Sequence, residues 1–364
     1  MTKEQEKFLE RAWYMGFCNN NEIDRILSPK NSCDYLLSQR ANIVADNPRY
    51  YRVYLRKSEV MPNWSFENSF ATSHYTDVIN NLSDEDKTLC SKITYGDIFS
   101  DDANGYAEKN EDWGRIIYLN ECLQFYMKFC NLALFDFDVD VPDYVRLNSL
   151  RIAIRTMMKM ESMDFFLDPR GKVPESVGNM IHYPIKHELQ FIAGHEFSHH
   201  LCKHFDDKST VKRAVLSFED KKYIKPVYSV SQKQEFEADL SSINRPLYSK
   251  EEYDEVLKGA LIWFVSLSLV ETAQEIIVPT SNMTIKTHPS AKDRFYNLVN
   301  NAHFSNEFNT DFIDNILKRS YVLRIWLNED LAENYDIYDF YGSIYLDKPN
   351  TMWRGRELVD RVDY

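Results

Sequence analysis

Apolar residues recur every three to four positions along much of the chain, the spacing that lays a stripe on one face of a helix. Over residues 4–46 this spacing predicts several helical pieces, with breaks at Ser28-Pro29 and Asn47-Pro48, because a residue before proline is pushed out of the α region. Residues 50–56, YYRVYLR, are rich in strand formers and predict a strand. Residues 63–68 predict a loop, and Ser83-Asp84-Glu85-Asp86 a helix start with an acidic first turn. Residues 113–137 are strongly apolar at helical spacing, and residues 135–141, FDFDVDV, alternate as a half-buried strand would. Further helices are expected over 148–165, 185–205, 232–243 and 311–327, with a loop at 168–174 and another, charged, after the 185–205 helix. The longest uncharged apolar-rich run, residues 259–270, is too short for a membrane span of about 20 residues and predicts a buried helix.

Composition narrows this to one class. The chain has 364 residues, enough for one large domain or two to three smaller ones. Apolar residues make up 44% and aromatics 14%, a globular rather than disordered balance. With only 10 Gly and 12 Pro there are too few tight turns for a sandwich of many strands, so the expected class is α+β, predominantly helical. No repeats or low-complexity tracts mark a linker. The expected division is an N-terminal region over 1–110, a central domain over 111–304, and a helical, aromatic extension over 305–364. Within that extension the stretch ENYDIYDFYGSIYLD packs across a domain surface or lies over a cleft as a lid. A net charge of −13 argues against nucleic acid as the main partner. None of the six cysteines forms a C-x-x-C pair, which suits reduced thiols in the cytoplasm. The polar N-terminus lacks the apolar core of a signal peptide, so a cytoplasmic chain without stable membrane insertion is expected.

The candidate chemistry lies in residues 186–205, KHELQFIAGHEFSHHLCKHF. His195 and His199 stand four apart, so on a helix both face one ion, and imidazole suits zinc. Glu196 sits beside them, where a water held by that ion can lose its proton. This is the HExxH pattern, and five residues alone also describe a polar stripe on an amphipathic helix. A third ligand is needed. In the run QKQEFEADL, Glu235 and Asp239 share one helix face, so Glu235 can supply a carboxylate while Asp239 accepts from the far nitrogen of a ligand histidine. Two His and one Glu leave a fourth position open, as a catalytic site requires. A histidine six residues after His199 would suit another zinc class, but Phe205 stands there. His200 and His204 pair at four-residue spacing on a different helix face and read as surface histidines. His182 and His187 have no supporting partner, and Cys202 reads as helix packing rather than a ligand.

A third block, THPSAKDR at residues 287–294, starts a helix with Pro289 in its first turn and carries His288 and Arg294. Together, HExxHxxxxH over 195–204, ExEAD over 235–239 and THPSxxxR over 287–294 resemble the gluzincin zinc peptidases, and within them the HtpX and CAAX-prenyl-protease family in its soluble branches. The resemblance covers about residues 185–300. It implies a zincin-like core with helical extensions at both ends. It also implies one zinc ion on His195, His199 and Glu235, with Asp239 behind them. His288 and Arg294 would then lie near the substrate and steady the oxyanion. The spanning helices of the membrane members are missing, which puts a lipid-modified substrate in doubt.

The function expected is a zinc metalloendopeptidase that cleaves protein or peptide substrates, with Glu196 as general base. Two other roles fit the same residues. One is a regulatory or scaffold protein with a structural zinc site. The other is a triggered peptidase that cuts a host protein, since a cytoplasmic HExxH chain with extra domains also resembles the phage-exclusion Lit-type peptidases.

Overall fold

Side-chain caps set where the first helices begin. The computed structural model describes residues 3–205, 211–214, 232–277, 289–305 and 308–355. Helix α1 spans Lys3–Ala12, α2 Asn20–Leu27, α3 Ser32–Asp46 and α4 Pro48–Val60. The Asn19 and Asn31 side chains cap α2 and α3, and Asn19 with Glu22 completes a capping box. Asn47 ends α3 and caps α4, with Pro48 in the first turn, where its missing N–H is not needed. Helix α4 therefore takes up residues 50–56, which correct the strand expected there. Tyr50, Val53 and Tyr54, spaced three and four apart, are the buried ones, so cap and period override strand propensity.

Helices α5 (Ser73–Asn80) and α6 (Asp84–Cys90) follow, the second capped by Ser83 as expected. A small sheet then forms from β1 (Ile93–Tyr95), β2 (Gly105–Asn110), β3 (Gly114–Leu119) and, later in the chain, β4 (Val211–Ala214). Its order is β1-β3-β2-β4. Strands β2 and β3 are an antiparallel hairpin with Gly105 opposite Leu119, β1 runs parallel to β3, and β4 antiparallel to β2. Gly114, at φ 78°, supplies the left-handed backbone that the hairpin turn requires.

Two further expectations are corrected nearby. The apolar run over 113–137 is divided between β3 and α7 (Cys122–Leu134), because its β-branched start pairs with β2. Residues 135–141 form no strand. The Phe135 carbonyl accepts from Arg146 at 2.6 Å, and Phe137 packs against the same guanidinium instead of joining a ladder.

Helix α8 runs over Asp143–Met157, earlier than expected, and ends before Lys159, a non-glycine residue at φ 63°. Helix α9 covers Glu175–Leu201, starting well before residue 185 and running through Gly178 and Pro184. The chain is completed by α10 (Gln232–Asn244), α11 (Lys250–Ile277), α12 (Ala291–Asn301), α13 (Thr310–Glu333) and α14 (Asp336–Asp339). The protein is thus predominantly helical with one small sheet.

One contiguous cluster of buried apolar side chains reaches from Phe17 to Trp353. At its centre α11 packs against α9, α12 and α13. By length and composition α11 could cross a membrane, yet 83% of its most apolar window is buried by the protein itself. Residues 259–270 are all buried. Helix α9 lies between α11 and the sheet and also meets α5, α7 and α10, which fixes the helix that carries the candidate site.

Candidate metal centre

Close backbone packing brings α10 onto α9. At Gly194 an added Cβ would lie 3.2 Å from the Ser242 side chain, so the residue before His195 is one that lets the two helices approach. Helix α9 then presents His195 and His199, and α10 presents Glu235 and Asp239, as their four-residue spacings require. One ligand atom each from His195, His199 and Glu235 lies within 4.8 Å of the others, and all three residues are buried. The Nε2 atoms of His195 and His199 are 3.1 Å apart, and Glu235 approaches them at 3.4 and 3.6 Å.

Each histidine is held from behind. His195 Nδ1 meets Asp239 at 2.9 Å, and Asp239 is held in turn by the Nε and Nη2 of Arg294 at 2.8 and 2.6 Å. Burial alone would push the Asp239 carboxyl up, but Arg294 and His195 hold it below the usual range. Burial likewise opposes charge on His195, yet hydrogen bonds to Asp239 and Glu235 raise its pKa to about 9. An ionised Asp239 takes the Nδ1–H of His195 and leaves Nε2 for an ion, for which a proton is the competitor.

His199 has a support that the sequence pattern did not reveal. Helix α9 ends in a Schellman turn: Lys203, at φ 61°, donates its N–H to His200 and His204 donates its N–H to the His199 carbonyl. That turn places His204 Nδ1 2.9 Å from His199 Nδ1, with His204 Nε2 3.4 Å from Glu237. His200 and His204 are both buried, which corrects their reading as surface residues. His204 no longer lies on the helix at all, so its four-residue spacing to His200 carries no face relation.

Cys202, His204 and Glu237 also have ligand atoms within 4.8 Å. With an ion on His199 Nε2, the His199 Nδ1–H donates to His204 Nδ1, and the His204 proton then sits on Nε2. In that tautomer His204 is a donor toward Glu237 and not a second ligand.

Glu196 is fully buried beside this centre, and with Asp239 and Glu235 it acts on the Arg294 guanidinium. Burial weakens that cation, and the three carboxylates more than restore it. Arg294 is itself buried, and its two shortest bonds go to Asp239, the partner of His195, with His195 Nδ1 at 3.4 Å and Glu235 at 3.8 Å. Ser290, rather than Pro289, caps α12, which puts Pro289 one residue ahead of the cap. His288 lies outside the described residues, as does most of the charged segment expected as a loop after the α9 helix. His182 is exposed on the first half of α9, and His187 is buried in the same half, both on the far side of Phe191 from the cluster.

The donor set suits zinc: two imidazole nitrogens and one carboxylate, on two helices and braced from behind. No protein-family model, curated protein or solved structure matches this chain.

Proposed function

We propose that the protein is a zinc-dependent metallopeptidase whose ion is held by His195, His199 and Glu235. The observation that carries this reading is the convergence of those three buried ligands, with Glu196 also buried one residue along the same helix. In this reading α9, α10, α12 and the sheet form a zincin-like core, and the sequence resemblance to gluzincins supplies the reaction class. A bound zinc ion would contribute Lewis acidity toward a peptide carbonyl and toward water. Glu196 takes the proton of the attacking water and returns it to the departing amine nitrogen. Asp239 fixes the His195 tautomer, Arg294 keeps Asp239 ionised and oriented, and His204 accepts the outer N–H of His199. The substrate is a protein or peptide, and a triggered cut in one host protein remains a narrower version of the same chemistry.

One observation favours a different role. His195, His199, Glu196 and Glu235 are each at most 1% exposed, and a closed site is the mark of structural zinc. A regulatory or scaffold protein stabilised by the ion would look like this. Glu196 speaks for catalysis, since a purely structural site gains nothing from an acid beside its ligands.

Purified protein is analysed for metal, and wild type and Glu196→Gln are compared for protein cleavage, including autolysis and altered peptides in lysates. The expected result is one zinc per chain in both, with cleavage reduced about 1,000-fold or more in the variant, as for loss of a general base. Zinc retained with no cleavage by wild type moves the assignment to the structural role. Protein that binds no zinc at micromolar free metal sinks both.

A further inference from the structure

The first half of α9 borders a separate feature. A cavity of about 320 Å³ opens where the start of α5, α7 and residues 182–189 of α9 meet. Its charged lining is cationic, Lys128 from α7 and Lys186 from α9, and His182 of α9 adds a polar imidazole. Lys186 has a carboxylate nearby, Asp77 at 3.3 Å. Lys128 pairs with no carboxylate among the described residues; its ammonium lies 5.3 Å from the centre of the Phe129 ring, and burial lowers its pKa with no acid opposing the shift. Lys128 and His182 line the same cavity, and the ammonium, after burial, lowers the pKa of His182. A partly buried cation without a counter-charge is costly. An anion bound at this cavity wall would offset that cost.

Two other walls define what that anion carries. The N-terminus of α5 meets the cavity through Ser73 and His74, and Thr72 ahead of it makes no side-chain cap, so the first N–H groups of the helix favour negative charge. His74 is held by Asp97 at 2.9 Å and stands as a fixed part of the wall. Phe125, Ile185 and Leu189 supply an apolar side. The volume is at the small end of the range for ligand pockets.

We propose that this cavity binds a small anionic molecule with an apolar body. Its carboxylate or phosphate sits between Lys128 and His182, with Lys186 at the mouth, and its body lies on Phe125, Ile185 and Leu189. The site is independent of the metal centre.

Isothermal titration with phenyl phosphate, benzoate and inorganic phosphate, at fixed ionic strength, tests this on the full chain. Saturable 1:1 binding of phenyl phosphate or benzoate is expected, tighter than for inorganic phosphate because of the apolar wall. The tighter of the two organic probes tells a phosphate ligand from a carboxylate. Lys128→Met should weaken binding about tenfold or more, the loss expected for one charge-assisted hydrogen bond. Lys92→Met, at an exposed site off the cavity, should leave it unchanged. If Lys128→Met fails to fold, His182→Asn and Lys186→Met, both exposed at the mouth, carry the same question, and weaker binding in either supports the site. No saturable binding of any probe up to about 10 mM, or equal binding in wild type and every cavity variant, overturns it.

Discussion

Asp239 has no bond to an ion in the proposed site, yet most of the site's order runs through it. It takes the outer nitrogen of His195 and both bonds from Arg294. Asp239→Asn keeps the size and loses the charge, so zinc affinity should fall about 10- to 100-fold, the usual cost of a disturbed outer partner. His204→Gln should weaken zinc toward the lower end of that range, because its neutral partner orients His199 without a charge. Competition against a chromophoric chelator measures both, and wild-type affinity in Asp239→Asn would remove it from the support of the site. Glu188, on the same helix, gives a prediction of another kind. Burial pushes its carboxyl from 4.5 up to about 8, against the hydrogen bond from Asn131. The folded protein therefore keeps a proton there that the unfolded chain loses above pH 4.5, so this group makes stability fall as pH rises from about 4.5 to about 8. The slope is at most about 1.4 kcal/mol for each pH unit. Glu188→Gln should be more stable relative to wild type at pH 8 than at pH 5.5 by urea unfolding, and an equal difference at both would refute the buried neutral acid. His195, Glu196, His199, Glu235 and Asp239 were legible in the sequence because four-residue spacing on a helix is a local rule. His204 was not, since its approach depends on a left-handed residue at Lys203 that no periodicity reports. The bond from Arg294 to Asp239 was not legible either, since it depends on how α12 packs on α10, which is long-range.

At the scale of elements, two glycines on neighbouring helices should respond to alanine with opposite signs. A Cβ at Gly259 of α11 would lie 2.7 Å from the Glu188 nitrogen and 2.7 Å from the His187 carbonyl carbon, both backbone atoms of α9. Alanine there must separate the helices, at a cost of about 1–3 kcal/mol that outweighs its better helix propensity. Gly178 of α9 has nothing within 4 Å of such a Cβ, so Gly178→Ala should stabilise by about 0.5–1 kcal/mol. Urea midpoints decide this, and a stable Gly259→Ala would mean the contact can relax. The same close contact shows why α11 could be read from the sequence while the length of α9 could not. A continuous apolar run such as residues 259–270 means burial in any fold. The start of α9 contains Gly178 and Pro184, which usually mark an end. Here Pro184 only removes one bond, to the Met180 carbonyl, and packing against α5, α7 and α11 holds the helix through the gap. Strand formers at 50–56 misled for the converse reason, because a strand needs a neighbour and a helix with an asparagine cap does not.

Across the whole molecule, the chain's last described segment is tied down by charge as much as by apolar contact. Arg155 and Arg170 both bind Glu161, at 2.8 and 2.7 Å, and all three are fully buried. Arg155 also donates to the carbonyls of Phe340 and Gly342 at 3.0 Å each, and the Ile344 N–H reaches Glu161 at 3.3 Å. The Tyr345 hydroxyl donates to Asp168 at 2.6 Å, and the Leu346 N–H to the Arg170 carbonyl at 3.0 Å. These bonds lay the aromatic, acidic stretch on the end of α8 and the loop after it. Arg170 also pairs with Asp164 and Asp168, but among the described residues Glu161 is the one carboxylate on Arg155, so Glu161→Gln strands the buried Arg155 cation and should cost about 3–5 kcal/mol. The exposed pair Arg319–Asp136 gives the comparison, where Asp136→Asn should cost less than about 1 kcal/mol. Thermal unfolding reads the two costs, and limited proteolysis reads where the loss falls: in Glu161→Gln the first cuts should move to residues 337–346. Early cuts elsewhere, or a loss no larger than that of Asp136→Asn, would mean that apolar packing alone holds the segment and that the buried charges only fill the space beneath it.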